Sequence, residues 1–362
     1  MSDTKMSLIN LDGASDVVIK LLDMLQNAVG WVVAPHGARK DFDEALEVYK
    51  KSIEEDKNLD GRLKAAKISS ARKELKQYIN QSKIIAYAIE DLDQNAKLEL
   101  EDDWLSYFFD YAQNISNESV QKIWARILAE QCNGDTSINR MLIHTLSLLD
   151  TESAKAFGNL CRITMHCPNP NAYMQLGNKF VSKFVPLVLP PVLYGLNLVL
   201  PENDERHIAT KKYAECIPKP NDIAVLQEIG LIELPEKRGI EFEYPYNFGL
   251  VRHDFTGKNS SYKRTELKEY IIEYGDKKYV IEPENINKDE LLKIDGKEKL
   301  PEIIRFGSVK FSTVGETLYN ILNVEKLDDF EPILKICVES QNYCIKNVVN
   351  KIRFSSGGNI NI

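Results

Sequence analysis

The stretch 102–149 restricts the possible folds of this chain more than any other part of the sequence. It holds two of the chain's three tryptophans, Trp104 and Trp124, and the adjacent pair Phe108 and Phe109. These four side chains recur at helical spacing, and aromatic side chains bury more apolar area per residue than any others. We therefore expect the four rings to form the structural core of a compact helical domain.

Apolar periodicity predicts that this stretch folds as short helices joined by tight turns. Ser116 is a suitable N-cap for the helix that carries Trp124, and Gly134 is placed to end it. The next helix is marked by Ile138, Met141, Leu142, Thr145, Leu146 and Leu149, which recur at helical spacing.

A family likeness is carried by Asp102-Asp103-Trp104, Phe108-Phe109-x-Tyr111-Ala112 and Ser116-x-Glu118-x-x-Gln121-x-x-Trp124-Ala125-x-Ile127-Leu128-Ala129. These residues resemble an uncharacterised bacterial family known only as a domain of unknown function, and the wider abortive-infection alpha group. The resemblance covers roughly residues 102–164. It implies an accessory protein of bacterial defence against phage, and it implies no catalytic residue.

The segment 15–33 predicts an amphipathic helix that is apolar over more than half of its circumference. Its apolar stripe is formed by Val18, Leu21, Leu22, Leu25 and Val29. We expect this stripe to pack against other helices or against a second copy of the chain, so it is our candidate self-association surface. The alternative is a helix lying on a membrane surface, although its polar face lacks the Lys and Arg enrichment of such helices.

The longest helical pattern begins at Arg62. Its apolar seam consists of Ile68, Ala71, Leu75, Tyr78, Ser82, Ile85, Ile89 and Leu92, spaced alternately by three and four residues. This heptad pattern predicts either a helical hairpin within one chain or a seam between chains.

The same helix carries a stripe of positive charge, formed by Arg62, Arg72, Lys73, Lys76 and Lys83. Glu74 supplies the single negative charge between Arg62 and Lys83, in a chain whose net charge is −8. The stripe therefore predicts a binding surface for an anionic partner, either phosphate or an acidic protein. The alternative is a solvated face that the acidic segment 99–103 of its own chain or of a neighbouring chain neutralises.

Past residue 165 the helical pattern gives way to Pro-rich sequence, so we expect a domain boundary near 166–176. A helix, a Gly stop and a strand follow in 222–234, a hairpin in 270–281, and a strand and helix in 309–322. This order resembles the winged-helix layout of many bacterial regulators. The layout suits a DNA-contacting wing or a protein contact, and acidic residues at Glu228, Glu233, Glu236 and Glu241 favour the protein contact.

We therefore predict an α+β protein with an N-terminal helical hairpin and helical bundle, and a C-terminal α/β domain of winged-helix type. The predicted domains are N-terminal helices in 1–95, a compact helical domain in 96–168, a winged-helix-like domain in 169–350 and a flexible tail in 351–362.

The sequence favours no catalytic or metal site and no cofactor. It contains none of the motifs that cradle phosphate, hydrolyse with zinc or form a nucleophile elbow. Cys161, His166 and Cys167 lack a second pair of ligands at metal-binding spacing, so we interpret them as packed side chains. Six cysteines without a CxxC pair, and no secretory pattern at the N-terminus, predict a cytoplasmic protein.

The resulting hypothesis is a non-enzymatic, self-associating protein that binds a protein partner, within a phage-defence system. One alternative is a winged-helix regulator that binds DNA. Another is a membrane-acting effector that uses the helix in 15–33. Nucleic acid and membrane therefore both stay open as partners, beside a homo-oligomer.

Overall fold

The structure is a computed structural model. It describes residues 14–32, 42–134, 138–167, 183–186, 203–234, 240–242, 270–283, 292–294, 297–299, 304–306, 309–340 and 343–350. The predicted tail, residues 351–362, lies outside the described residues.

The chain divides into two compact units. Unit 1 comprises Met1–Ala154 and Thr317–Asn323, and unit 2 comprises Lys155–Glu316 and Val324–Ile362. Unit 1 thus takes helices from both of the predicted segments 1–95 and 96–168.

The described part of unit 1 consists of helices and their connections. Its helices are α1 (Asp16–Val29), α2 (Phe42–Glu55), α3 (Gly61–Glu90), α4 (Asp102–Ala112), α5 (Glu118–Asn133), α6 (Arg140–Ser147), the start of α7 (Thr151–Arg162) and the end of the helix Thr313–Leu322. Helix α1 packs against α4, α3 packs against α2 and α5, and α4 packs against α6.

The ends of α5 follow ordinary capping chemistry. The side chain of Asn117 accepts the Val120 N–H at 3.2 Å, so Asn117 is the N-cap and the predicted Ser116 is one residue too early. At the other end Gly134 adopts φ 77°, a left-handed conformation that glycine adopts without steric cost, as the sequence predicts.

The core of unit 1 is aromatic. The ring of Phe108 lies 5.2 Å from that of Trp104 and 5.1 Å from those of Phe109 and Trp124, measured between centroids. All four side chains are buried, and the Trp104 indole N–H donates to the Ile138 carbonyl at 2.9 Å. The spacing of these residues along α4 and α5 brings their rings into one cluster.

Unit 2 combines helices with short strands. Its described elements are the rest of α7, β1 (Thr164–Cys167), β2 (Lys183–Pro186), α8 (Glu205–Ala214), α9 (Pro220–Glu228), β3 (Ile232–Glu233), β4 (Ile240–Phe242), β5 (Tyr270–Tyr274), β6 (Lys277–Pro283), β7 (Leu292–Ile294), β8 (Lys297–Lys299), β9 (Ile304–Phe306), β10 (Lys310–Phe311), the start of α10 (Thr313–Leu322), α11 (Phe330–Glu339) and β11 (Tyr343–Asn350).

Five of these strands form an antiparallel sheet in the order β11-β6-β5-β1-β2. The predicted hairpin is confirmed as β5 and β6, with Tyr274 opposite Lys277 and Gly275 at φ 55° in the turn. Its outer neighbours are β1 and β11, so this hairpin belongs to the large sheet. Strand β3 pairs separately with β10.

Tyr274 joins the sheet to the helices of unit 2. Its ring stacks on Phe330 at a centroid distance of 3.7 Å. Its hydroxyl donates to the Arg162 carbonyl at 2.6 Å and accepts the Leu327 N–H at 2.7 Å. Burial raises the pKa of Tyr274, so this hydroxyl stays protonated and can keep donating.

The turn after α9 lies against the start of α10. The Ser312 hydroxyl donates to the Gly230 carbonyl at 2.5 Å, and its oxygen accepts the Gly315 N–H at 3.0 Å. A Cβ on Gly315 would overlap the carbonyl oxygen of Leu231. Only glycine fits at this point, because backbone approaches backbone there.

Helices with an antiparallel sheet in the C-terminal region make the chain α+β, as predicted. None of the helices that the structure describes is long and apolar enough to cross a membrane.

Candidate functional site on helix α3

Helix α3 is the longest described helix, at 30 residues. The carboxylate of Asp60 caps its start by accepting the N–H groups of Arg62 at 2.8 Å and Leu63 at 2.9 Å. At 1.5 Å per residue the helix is about 45 Å long, so it displays an extended row of side chains.

The first half of α3 packs against α2 in the same chain. The Lys64 ammonium donates to the Glu54 carbonyl at 2.6 Å and so ties the start of α3 to the end of α2. Helices α2 and α3 therefore form a helical hairpin within one chain. A seam between chains stays a prediction.

The second half of α3 is anchored on α5 by apolar and polar contacts. Ile84, Ile85 and Ala88 are fully buried. The Asn80 amide donates to the Gln113 carbonyl at 2.9 Å, and the Gln121 amide donates to the Asn80 side-chain oxygen at 3.3 Å. These buried amides fix the position of α3, because a shift would leave them unpaired.

We call Arg62, Arg72, Lys73, Lys76 and Lys83 the basic face of α3. The structure exposes the first four side chains and half-buries Lys83. From Arg62 to Lys83 the basic face extends for about 32 Å along one side of the helix. The structure thus brings together on one surface all five residues that the sequence proposes for an anionic partner.

The exposed cations of the basic face form no ion pair with a described carboxylate. Ion pairs elsewhere in unit 1 use other groups: Lys50 with Glu47 at 3.5 Å, Lys122 with Glu118 at 2.9 Å and Arg126 with Asp91 at 3.6 Å. The acidic residues Glu99 to Asp103, which are exposed apart from Leu100, pair with none of these cations. Neutralisation by that segment is therefore not seen among the described residues.

Lys83 differs from the rest of the basic face because it lies near α5. The pKa of Glu118 is lowered, chiefly by its hydrogen bond and charge interaction with Lys122, and Lys83 adds to the effect. Lys83 thus already interacts with a carboxylate of its own chain, that of Glu118. Arg72, Lys73 and Lys76 form the free centre of the basic face.

The residues proposed for self-association lie elsewhere in unit 1. The structure buries Val18, Leu21, Leu22 and Leu25 and half-buries Val29, on a helix that packs against α4. Self-association through this stripe stays a prediction. It would require α1 to leave α4, because α4 of the same chain already covers the stripe.

Cys132, Cys161, Cys216 and Cys337 are buried and Cys344 is half-buried, and no metal site forms among the described residues. Burial raises the pKa of Cys132 and of Cys161 to about 12, so both remain protonated at neutral pH. The described part of the chain holds no group of three His, Cys, Asp or Glu side chains that could bind a metal ion.

One exposed surface was missed by the periodicity argument. Met141 belongs to the apolar residues that mark α6, but it is exposed, as is Leu148 directly after the helix. The signal that could have found it is the spacing of Met141, His144 and Leu148 by three and four residues, which places them on one side of the helix.

Comparison with curated proteins and with solved structures found no match. Residues 66–183, which include most of α3 and the aromatic core, match a family described as "Protein of unknown function (DUF2806)". This stretch of the chain is therefore similar to an uncharacterised domain family, in agreement with the resemblance to a domain of unknown function.

Proposed function

We propose that this chain is a non-enzymatic partner-binding protein that holds an acidic protein on the basic face of α3. The observation that carries the proposal is the row of exposed cations that no described carboxylate neutralises. A long row of like charges is costly unless counter-ions or a partner offset it. An acidic partner supplies that offset and gains specificity from the spacing along the helix.

One feature favours a protein over a nucleic acid as the partner. Unit 1 also exposes apolar side chains, Val48 and Tyr49 on α2 and Leu63 at the start of α3. Protein interfaces combine apolar contacts with such charges, whereas phosphate backbones offer mainly charge.

The test is binding of two fluorescent probes to the full chain, poly-L-glutamate and a short DNA duplex, followed by anisotropy. We expect the wild type to bind poly-L-glutamate, and the triple variant R72E/K73E/K76E to bind it at least about tenfold more weakly, because attraction becomes repulsion. The matched control is K20E/K51E/K57E, which makes the same charge change at exposed lysines outside the basic face.

Equal loss of affinity in both triple variants would show that the affinity for poly-L-glutamate depends on net charge alone, and would contradict the proposal. Tighter binding of the duplex than of poly-L-glutamate, lost only in R72E/K73E/K76E, would identify a nucleic acid as the partner instead. Failure of the wild type to bind either probe would also contradict it.

As a second candidate we propose that α9, β3, β10 and the first turn of α10, all in unit 2, form a winged-helix-type module that contacts protein. The support is the antiparallel pairing of β3, which follows α9 in the chain, with β10, which precedes α10. The segment 220–234 carries three carboxylates and no Lys or Arg, and Val225 and Leu234 are exposed. Glu233 pairs with Lys310 of β10, and Asp222 and Glu228 leave this surface with a net negative charge that disfavours phosphate. Retention of R72E/K73E/K76E on duplex DNA that falls steeply with salt would favour DNA binding instead.

The biological setting that we propose is bacterial defence against phage, and its support is the resemblance of residues 102–129 to the abortive-infection alpha group. The test compares phage plaque counts on bacteria that express the wild type or R72E/K73E/K76E. Protection by the wild type alone is expected. Equal plaque counts with and without the chain would contradict this setting.

A further inference from the structure

An exposed face of α6 has the composition of a protein interface. Leu142, Ile143, Thr145 and Leu146 point into unit 1, and the opposite side of the helix is open to solvent. We call Arg140, Met141, His144 and Leu148 the α6 face. All four are exposed, Met141 to 59% and Leu148 to 52%.

The polar members of the α6 face are held in place by tyrosines of α4. The Arg140 guanidinium lies 5.4 Å from the ring centroid of Tyr107. The His144 and Tyr111 rings are 6.2 Å apart, and the two tyrosine rings are 5.2 Å apart, both in edge-to-face geometry. Side chains that are already ordered lose little entropy when a partner binds. Tyr, Arg and Met are also enriched in interface cores.

A two-fold axis can pair the two apolar side chains of the α6 face with each other. Met141 and Leu148 lie at equal distances on either side of the peptide bond between His144 and Thr145. If a second α6 packs antiparallel about a two-fold axis through that point, each Met141 contacts the partner's Leu148. An isologous interface requires this equivalence, because one surface must match itself.

The charges fit the same arrangement. Arg140 lies in the first turn of α6, which has no acidic residue, and a cation there opposes the helix dipole. Antiparallel packing brings Arg140 to the negative end of the partner's α6 and near the partner's Asp150. Asp150 is exposed and its pKa is lowered by hydrogen bonds from Ser153, so it is ionised at neutral pH.

We propose that the α6 face binds the α6 face of a second copy of this chain, antiparallel, about a two-fold axis. This goes beyond the proposed function, since no residue of the basic face takes part. It gives the predicted homo-oligomer a surface that is open in the single chain, unlike the buried stripe of α1.

The test is the mass of the full chain in solution, measured by sedimentation over a range of concentrations. The wild type is expected to reach the mass of two chains. M141E/L148E is expected to have the mass of one chain, a twofold drop, because four carboxylates would face each other. M141E/L148K is expected to restore the dimer through Glu–Lys pairs, and that dimer weakens with salt.

The control is V48E on α2, where the native side chain is as exposed as Met141, at 59%, but lies outside the α6 face. V48E and R72E/K73E/K76E should both remain dimers, and circular dichroism checks that every variant is folded. A wild type that stays at one chain, a dimer that survives M141E/L148E, or a folded M141E/L148K that stays monomeric would each overturn the proposal. None of these results depends on whether the basic face binds an acidic partner.

Discussion

At the scale of single residues, Gly315 is a position where the backbone leaves no room for a side chain. In most helices Gly→Ala stabilises by about 1 kcal/mol. Here the added Cβ would overlap the Leu231 carbonyl oxygen. We predict that Gly315→Ala destabilises the protein by about 2 kcal/mol or more, because backbone must shift. Urea unfolding followed by circular dichroism measures the change.

The matched control for this prediction is Gly158→Ala in α7. A Cβ at Gly158 would meet nothing within 4 Å, so the ordinary helix preference applies. We expect a gain of about 0.5 to 1 kcal/mol. Equal stability of the two variants would show that the turn after α9 can move away from α10.

Tyr279 makes the stability of unit 2 depend on alkaline pH. Burial, followed by the negative charge of Glu331, raises the pKa of Tyr279 to about 12. The unfolded chain loses this proton near the ordinary tyrosine pKa of about 10, so below that pH the free energy of unfolding has its full value. The free energy of unfolding falls by about 2 to 3 kcal/mol as the pH rises from there through the folded pKa.

We predict that Tyr279→Phe removes this part of the alkaline loss. The free energy of unfolding, measured at pH values on either side of this window, should fall less steeply in the variant than in the wild type. The loss due to Tyr274, whose pKa burial also raises, remains. Parallel pH profiles would contradict the assignment of this effect to Tyr279.

Residue-scale prediction from sequence succeeds where one interaction dominates. Trp104 and Trp124 are buried as their helical spacing indicates, because leaving rings of this size exposed to water is costly. Met141 is not, since it lies at the margin of the apolar stripe of α6, where a period of 3.6 allows either side. Ser116 and Asn117 are both good caps, and sequence alone does not choose between them.

At the scale of elements, the ring of Phe108 on α4 packs against the ring of Trp124 on α5. Phe108 is fully buried and touches Trp104, Phe109 and Trp124. We predict that Phe108→Ala costs about 3 to 5 kcal/mol through lost transfer energy and the cavity left behind. Thermal unfolding of the full chain measures this cost.

The control for the aromatic cluster is Val48→Ala on the exposed side of α2. We expect this variant to stay within about 0.5 kcal/mol of the wild type, because its side chain contributes little buried area. A loss in Phe108→Ala no larger than in Val48→Ala would mean that α4 and α5 do not depend on this cluster.

Helix α1 shows why an element's partner is harder to predict than the element itself. Its apolar stripe correctly indicates a covered face, but periodicity does not identify what covers it. In the structure α4 does so, and the Ser106 hydroxyl donates to the Ala28 carbonyl at 3.2 Å. The sequence of residues 15–33 does not reveal this contact, because the helix on the other side of it, α4, lies more than 70 residues later in the chain.

At the scale of the whole molecule, the α+β class is predictable and the strand order is not. The hairpin of β5 and β6 follows from its local turn, and the structure confirms it. Pairing of β1 with β5 joins His166 to Glu273 across more than a hundred residues, so no local pattern reports it. The basic face is predictable, because all five residues belong to one helix.

The central claim is that α3 presents its cations to an acidic partner rather than to solvent. The most direct test is the salt dependence of poly-L-glutamate binding by the wild type, R72E/K73E/K76E and K20E/K51E/K57E in parallel titrations. We predict that affinity falls steeply with salt for the wild type and for K20E/K51E/K57E, and that R72E/K73E/K76E binds weakly at every salt concentration. Identical curves for the two triple variants would contradict the claim.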